Sequence, residues 1–413
     1  MKARYSFPLT TLLIGCGLAA LPAAVQAAGF VEDAKVSVGL RNFYINRNFV
    51  DSAASQNRAE EWTQAFILNA QSGYTQGPIG FGIDTLGMLA IKLDGGNGTD
   101  GTGLLPVHPD GPSDDFGRLA VAGKAKISQT ELKVGEWMPV LPILRSDDGR
   151  SLPQTFEGAQ LTSKEIDGLT LYGGQFRQNS PRDSASMDDM SFNGALSDRF
   201  NFGGGEFAFN EKRTMLGAWY AELEDVYQQQ YYNLVHSQPV GDWVLGANIG
   251  YFIGKEEGAA LAGDLDNKTI SGLFSAKYGS NTFYVGLQKL SGDDKWMRVN
   301  GTSGGTLAND SYNNSYDNAE ERSWQLRHDF NFAGLGIPGL TLMNRYIKGD
   351  NVHTASTDDG KEWGRETELA YTVQSGALKA LNVKWRNSSL RQDFGTRDLD
   401  ENRIILNYPL DIL

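Results

Sequence analysis

The chain has 413 residues, 40% of them hydrophobic, with 49 glycines, 13 prolines, 11% aromatic residues and a formal net charge of −13. That charge argues against nucleic acid as a partner, and a single cysteine, Cys16, excludes a disulfide framework. Abundant glycine and aromatics with little proline suit many strands and turns better than a helical protein.

The first residues carry Lys2 and Arg4, an apolar run over 9–21 (LTTLLIGCGLAAL) and the small-residue stretch VQA at 25–27. This order predicts a secretory leader over residues 1–27, cut after Ala27 or Ala28. LIGC also has the shape of a lipid-attachment signal at Cys16, but the apolar run continues well past that cysteine. No later stretch of about 18 apolar residues offers a transmembrane helix. An exported chain of this kind is either a soluble β protein or an outer-membrane β-barrel.

Beyond the leader, runs of about ten residues alternate apolar with small or polar positions. In VSVGLRNFYI, Val36, Val38, Leu40 and Tyr44 share one face, and Arg41 lies on the other. A polar stretch, 94–117, precedes LAVAGKAKIS, where Leu119, Val121 and Ile127 face out and Lys124 and Lys126 face in. Residues 139–160 hold EWMPVLPILRSDDGRSLPQT apart from its first three residues. Its three prolines exclude it from a strand ladder, so it reads as a loop folded into the lumen, with Arg145 and Arg150 available to line it. After a third long segment, 177–198, WVLGANIGYFI alternates from Trp243 to Ile253. The longest polar segment, 291–320, leads into SWQLRHDFNF, which sets Trp324 and Leu326 against Gln325 and Arg327. Near the end, LNVKWRNSS sets Val383 and Trp385 against Lys384 and Arg386, and RIILNYPL sets Ile404 and Leu406 against Arg403.

An apolar outer face, a polar inner face and aromatics at strand ends are what a transmembrane barrel presents. A cation at mid-bilayer costs about 2–4 kcal/mol, so Arg41, Lys124, Lys126, Arg327, Arg345, Lys384, Arg386 and Arg403 are expected to point into one lumen. With the acids placed mainly in loops, as at Asp293, Asp294, Asp358 and Asp359, such a row would serve as a series of anion sites. Enzyme signals are weak. Four histidines show no metal-ligand spacing, and there is no G-x-S-x-G elbow.

Several stretches together resemble the OprD (Occ) family of outer-membrane carboxylate channels. They include GFVEDAKVSVGLRNFYINR, EEWTQAFILNAQSGYTQGPIGFGIDTLGMLAIKLDG, RSLPQTFEG, AELEDVYQQQYYN and RIILNYPLDIL, spread from residue 29 to 413. The resemblance implies an all-β, antiparallel 18-stranded barrel with inward-folded loops forming an eyelet. It implies a basic ladder at Arg41, Lys384, Arg386, Arg391 and Arg403, a constriction arginine at Arg150 and an eyelet acid at Asp317. EEWTQAFIL, LGMLAIKLDG and RSLPQTFEG resemble the OccK branch, associated with aromatic and other monocarboxylates. The expected protein is therefore a passive porin without cofactor, in contact with outer-membrane lipid and lipopolysaccharide, monomeric or loosely trimeric. A carboxylate would follow the basic row while its apolar body slides along the opposite wall. Selectivity for basic amino acids or peptides is the alternative within the class, and a barrel enzyme the alternative outside it.

Overall fold

The computed structural model describes residues 29–51 and 54–413; the predicted leader lies outside them. Eighteen strands succeed one another as antiparallel neighbours. In chain order they are β1 (Lys35–Phe49), β2 (Arg58–Gln71), β3 (Gly80–Asp94), β4 (Asp115–Ile127), β5 (Thr130–Trp137) and β6 (Thr155–Ile166). They continue as β7 (Leu169–Ser180), β8 (Phe200–Phe209), β9 (Thr214–Leu223), β10 (Tyr227–Val240), β11 (Trp243–Glu256) and β12 (Asp266–Tyr278). The last six are β13 (Asn281–Ser291), β14 (Arg322–Asn331), β15 (Leu340–Thr354), β16 (Thr357–Thr372), β17 (Asn382–Gln392) and β18 (Leu399–Asp411). β1 pairs with β18, setting Arg41 opposite Asn407 and Ile45 opposite Arg403, so the sheet closes and has no free edge. Among the described residues the one helical turn is a 3-10 segment, Phe332–Leu335.

Alternation decides which side chains face outward. Leu119, Leu326, Trp385 and Ile404 are all exposed on the outer surface, while their strand neighbours point inward. Connections differ at the two ends. The end that carries Lys35 and Asp411 has short turns, such as 128–129, 167–168 and 279–280. The opposite end carries the long segments 95–114, 138–154, 181–199 and 292–321.

The inner wall is not uniformly polar, which corrects the expectation of a wet lumen throughout. Phe156 on β6, Phe176 on β7, Phe202 on β8, Trp219 on β9, Tyr231 on β10 and Phe252 on β11 all point inward and are buried in one cluster. The covering residues come from the long segments: Leu141, Ile143 and Leu144 from 138–154, and Trp296, Met297 and Leu307 from 292–321. Rings pack directly, with Phe176 5.1 Å from Trp137 and 5.5 Å from Phe202 between centroids. The loops fold inward because apolar surface on both partners leaves water. Arg41 fastens the same loop on the far side, donating to both carboxylate oxygens of Asp148 (2.7 and 3.2 Å) and to the Arg150 carbonyl (2.7 Å).

Replacing Leu144, 2% exposed, with alanine is expected to weaken the seating of segment 138–154 by about 2–5 kcal/mol. The folded, heat-modifiable band should remain, while open-channel noise and protease cleavage within 138–154 increase. Unchanged noise and cleavage would mean that the loop is held by its polar contacts alone.

Candidate functional site

β6–β11 bury their inner face under the long segments, and β1–β4 bury Phe43, Ile45, Met88 and Phe116 against Leu104, Leu105 and Leu152; the charged side chains gather along β14–β18. Register sets the charged side chains there at neighbouring heights. Arg327 lies opposite Arg345, Glu368 opposite Arg386, Arg386 opposite Arg403, and Arg403 opposite Ile45.

Each of these arginines meets an acid. Arg327 holds Asp329 through two bonds of 2.8 and 2.7 Å and lies 4.9 Å from the Tyr284 ring. Arg345 pairs with Glu366 and donates to the Asp310 carbonyl at 2.8 Å. Arg386 pairs with Glu368. Glu401 receives Arg403 at 2.6 Å and Arg47 at 2.7 Å. Lys124, like Lys133, is held by Asp84, at 2.6 and 2.7 Å. The expectation that acids belong mainly to loops is therefore wrong. Strand register brings carboxylates beside the cations, as it must where a low-dielectric wall would make a lone charge costly.

Other expected residues are placed differently. Lys384 points inward and makes no ion pair among the described residues. Lys126 is exposed near the short-turn end, 5.7 Å from the Tyr74 ring. Arg391 does not join the row. It shares parity with Trp385 on β17, lies 5.8 Å from the Trp363 ring and holds Asp400 through two 3.0 Å bonds. With no register shift between the two positions, Arg391 must face outward, at the long-loop end. Arg145 sits in the inward loop but is not among the residues lining the mouth cavity, and its Nε is buried without a partner.

The mouth is a cavity of about 930 Å³ bounded by 138–154, 292–321 and the upper wall. Arg150 lines it, 7% exposed, with Nε donating to the Thr102 carbonyl and Nη1 to the Gly149 carbonyl, both at 2.8 Å. Asp317 lines it too, 3.3 Å from Arg298. Eight basic and five acidic side chains line this cavity in all, in a chain whose net charge is −13. Its other side chains include Asn, Ser and Thr together with apolar and aromatic residues such as Leu105, Phe192, Trp296 and Phe394.

Tyr312, which the sequence reading did not single out, is the centre of the arrangement. Three guanidiniums surround its ring: Arg386 at 4.2 Å, and Arg345 and Arg403 at 5.6 Å each. Its hydroxyl donates to Glu368 (3.1 Å), its backbone N–H donates to Glu366 (2.7 Å), and its carbonyl accepts from Arg403 (2.9 Å). No local motif in the polar stretch NDSYNNSYDN marks it. Arg118 was also missed, although its parity on β4 predicts an inward side chain. It fastens two inward segments by donating to the carbonyls of Pro153, Pro181 and Ser184.

A closed 18-stranded barrel with inward loops and a charged constriction defines an outer-membrane porin. Residues 28–412 match the family described as outer membrane porin, OprD family, and the chain belongs to that family. It is 70% identical to a BenF-like porin from Pseudomonas fluorescens, with 93% of this chain and all of that one aligned and a TM-score of 0.92. OccK2 of Pseudomonas aeruginosa, solved with glucuronate, is 63% identical, with the same coverage and a TM-score of 0.87. OpdK of the same organism, solved with vanillate, is 48% identical, again with that coverage and a TM-score of 0.88. The protein is thus a channel of a Gram-negative outer membrane and not an enzyme.

Two outcomes test the site. Tyr312→Phe, which keeps the ring, should retain the anion preference read from reversal potentials in a salt gradient. Tyr312→Leu should reduce it, because contacts of about 0.5–2 kcal/mol each that hold three guanidiniums are lost. Equal behaviour of the two variants would remove the ring from the argument. The second outcome concerns Asp310 in segment 292–321. Burial pushes its carboxyl up to about 6 from 3.8, against the pull of Ser315, Arg298 and Arg345, with Asp317 adding to the rise. Lowering the pH from 7.5 to 5 therefore neutralises one negative charge at the mouth, and anion preference should rise with a midpoint near 6. Asp310→Asn should abolish that step; a step that survives belongs to another group.

Proposed function

We propose that this porin is a substrate-selective channel for passive uptake of small carboxylates, with aromatic and other monocarboxylic acids as its main substrates. The observation that carries the reading is the mouth cavity, where basic side chains outnumber acidic ones in an otherwise acidic protein. Two relatives with bound carboxylates, glucuronate and vanillate, support the same class.

The geometry suggests how a carboxylate would pass. Part of its hydration is replaced by charge-assisted hydrogen bonds from arginine. The substrate would leave the mouth and move along Arg403, Arg386 and Lys384, with Arg345 and Arg327 supplying positive potential from the side. Because each wall arginine already has a carboxylate, none is a deep trap, and conduction needs sites weak enough to release. Barrels acting singly or as loose trimers would work in the same way, since the path lies inside one chain.

Single-channel recording in a planar bilayer tests this, with benzoate and free arginine added in turn. Concentration-dependent blocks by benzoate and none by arginine are expected. Arg386→Ala should weaken the benzoate block by about tenfold or more, since a hydrogen bond to a charged group is worth about 1.5–3 kcal/mol and Glu368 loses its arginine partner. Blocks by arginine with none by benzoate would move the channel to basic amino acids. Loss of the folded band in Arg386→Ala would make that residue structural.

A further inference from the structure

The charged side chains of the mouth are not equivalent. Arg47, Arg182, Arg298, Arg386 and Arg403 each have a carboxylate partner. An arginine so paired presents an incoming anion with something close to a neutral dipole. Among the described residues, the cavity's cations without such a partner are Arg150, Lys295 and Arg397. Arg150 is buried, and two of its donors are spent on backbone carbonyls. Lys295 and Arg397 are exposed.

These two come from different segments of the mouth. Lys295 lies on 292–321, its Nζ 5.4 Å from the ring of Phe192, which is itself packed edge-on against Tyr227. Arg397 lies on the connection between β17 and β18 and donates to the carbonyl of Asn313 at 3.2 Å. Asn313 follows Tyr312 in the chain, so Arg397 is tied to the segment whose ring gathers the wall arginines. Four of the five acids of the cavity are matched to other cations: Asp147, Asp148 and Asp317 are taken by Arg182, Arg41 and Arg298, and Asp183 lies within electrostatic range of Arg118. Asp310, which accepts from Ser315 at 2.7 Å, is the fifth.

Resting on the carboxylate reading above, we infer that Lys295 and Arg397 form an outer capture site for carboxylates. It sets the rate of entry from the long-loop side, while the paired arginines of the wall govern passage. Unpaired charges at a water-filled mouth act through the field they project, which raises association rates and is screened by salt. The site therefore has a direction: it speeds entry from one face of the membrane and not from the other.

The test is one-sided block by benzoate of reconstituted channels of known orientation, in the wild type and in the double variant Lys295→Gln, Arg397→Gln. The association rate for benzoate added on the long-loop side should fall about three- to tenfold at 0.1 M salt. That loss should shrink toward none at 1 M, where the screening length is about 3 Å. The dissociation rate and the association rate from the short-turn side should stay as in the wild type. Lys268→Gln removes one positive charge from β12 outside the cavity, and should leave entry from the long-loop side unchanged, whereas each of Lys295→Gln and Arg397→Gln alone should lower it. An unchanged entry rate in the double variant, an equal loss from both sides, or an equal loss in Lys268→Gln would overturn the capture site while leaving the carboxylate channel standing. A wild-type channel that benzoate blocks from neither side would overturn the carboxylate reading and the capture site with it.

Discussion

The contact on which the rest of the lumen depends is apolar. The inner faces of β6–β11 carry phenylalanine, tryptophan and tyrosine where a water-filled pore would carry polar groups, and Leu141, Ile143, Leu144, Trp296 and Met297 cover them. Burying a side chain of this size is worth about 1.5–3 kcal/mol, so several together can hold two long segments across the lumen. This divides the barrel. The strands β6–β11 become one wall of a packed core, and the paired arginines and glutamates stand on the strands that follow, β15–β18.

On those charged strands, selectivity and throughput make opposing demands. A row of bare arginines would hold carboxylates tightly and conduct poorly; a fully neutralised wall would not select. The observed pairing lies between these limits. Glu366, Glu368 and Glu401 satisfy Arg345, Arg386 and Arg403, and the ring of Tyr312 shares its face and edges among the same three cations. Guanidiniums stacked on an aromatic ring and tied to a carboxylate lose few further degrees of freedom when an anion arrives, which favours rapid exchange over tight capture.

Much of the barrel was legible because alternation is a strong constraint in a membrane wall. Arg41, Arg327, Arg345, Lys384, Arg386 and Arg403 point inward by the parity of their own strands. Arg391 shows the same rule from the other side. Its parity matches Trp385, and the inward placement came from family resemblance alone, so the local pattern was the better guide. Three features were beyond reach for a shared reason. Which glutamate meets which arginine depends on cross-strand register, as with Glu368 and Arg386. The apolar wall was obscured on strands such as FNFGGGEFAF, where both faces bear phenylalanine, Phe200 and Phe202 inward and Phe207 and Phe209 outward. Tyr312 acts through contacts made only once 292–321 has crossed the lumen.

Glycine carries the last part of the loop's placement, in a role that composition does not reveal. Many of the 49 glycines lie in turns, but others stand on inward positions of the wall, facing side chains of segment 292–321. A Cβ on Gly254 would come within 2.6 Å of the Met297 sulfur, and one on Gly286 within 2.6 Å of Asn309 Oδ1. Gly364 leaves similar room for the Tyr316 hydroxyl, and Gly349 for the Glu321 carboxyl. These sockets run from β11 to β16, so they bracket the crossing segment from the apolar wall to the charged strands. An alanine at any of them would push the end of the loop side chain aside. The wall thus positions Tyr312 by omission as well as by contact. The glycines receive residues that flank it on both sides, and the tyrosine between them stands against the arginines.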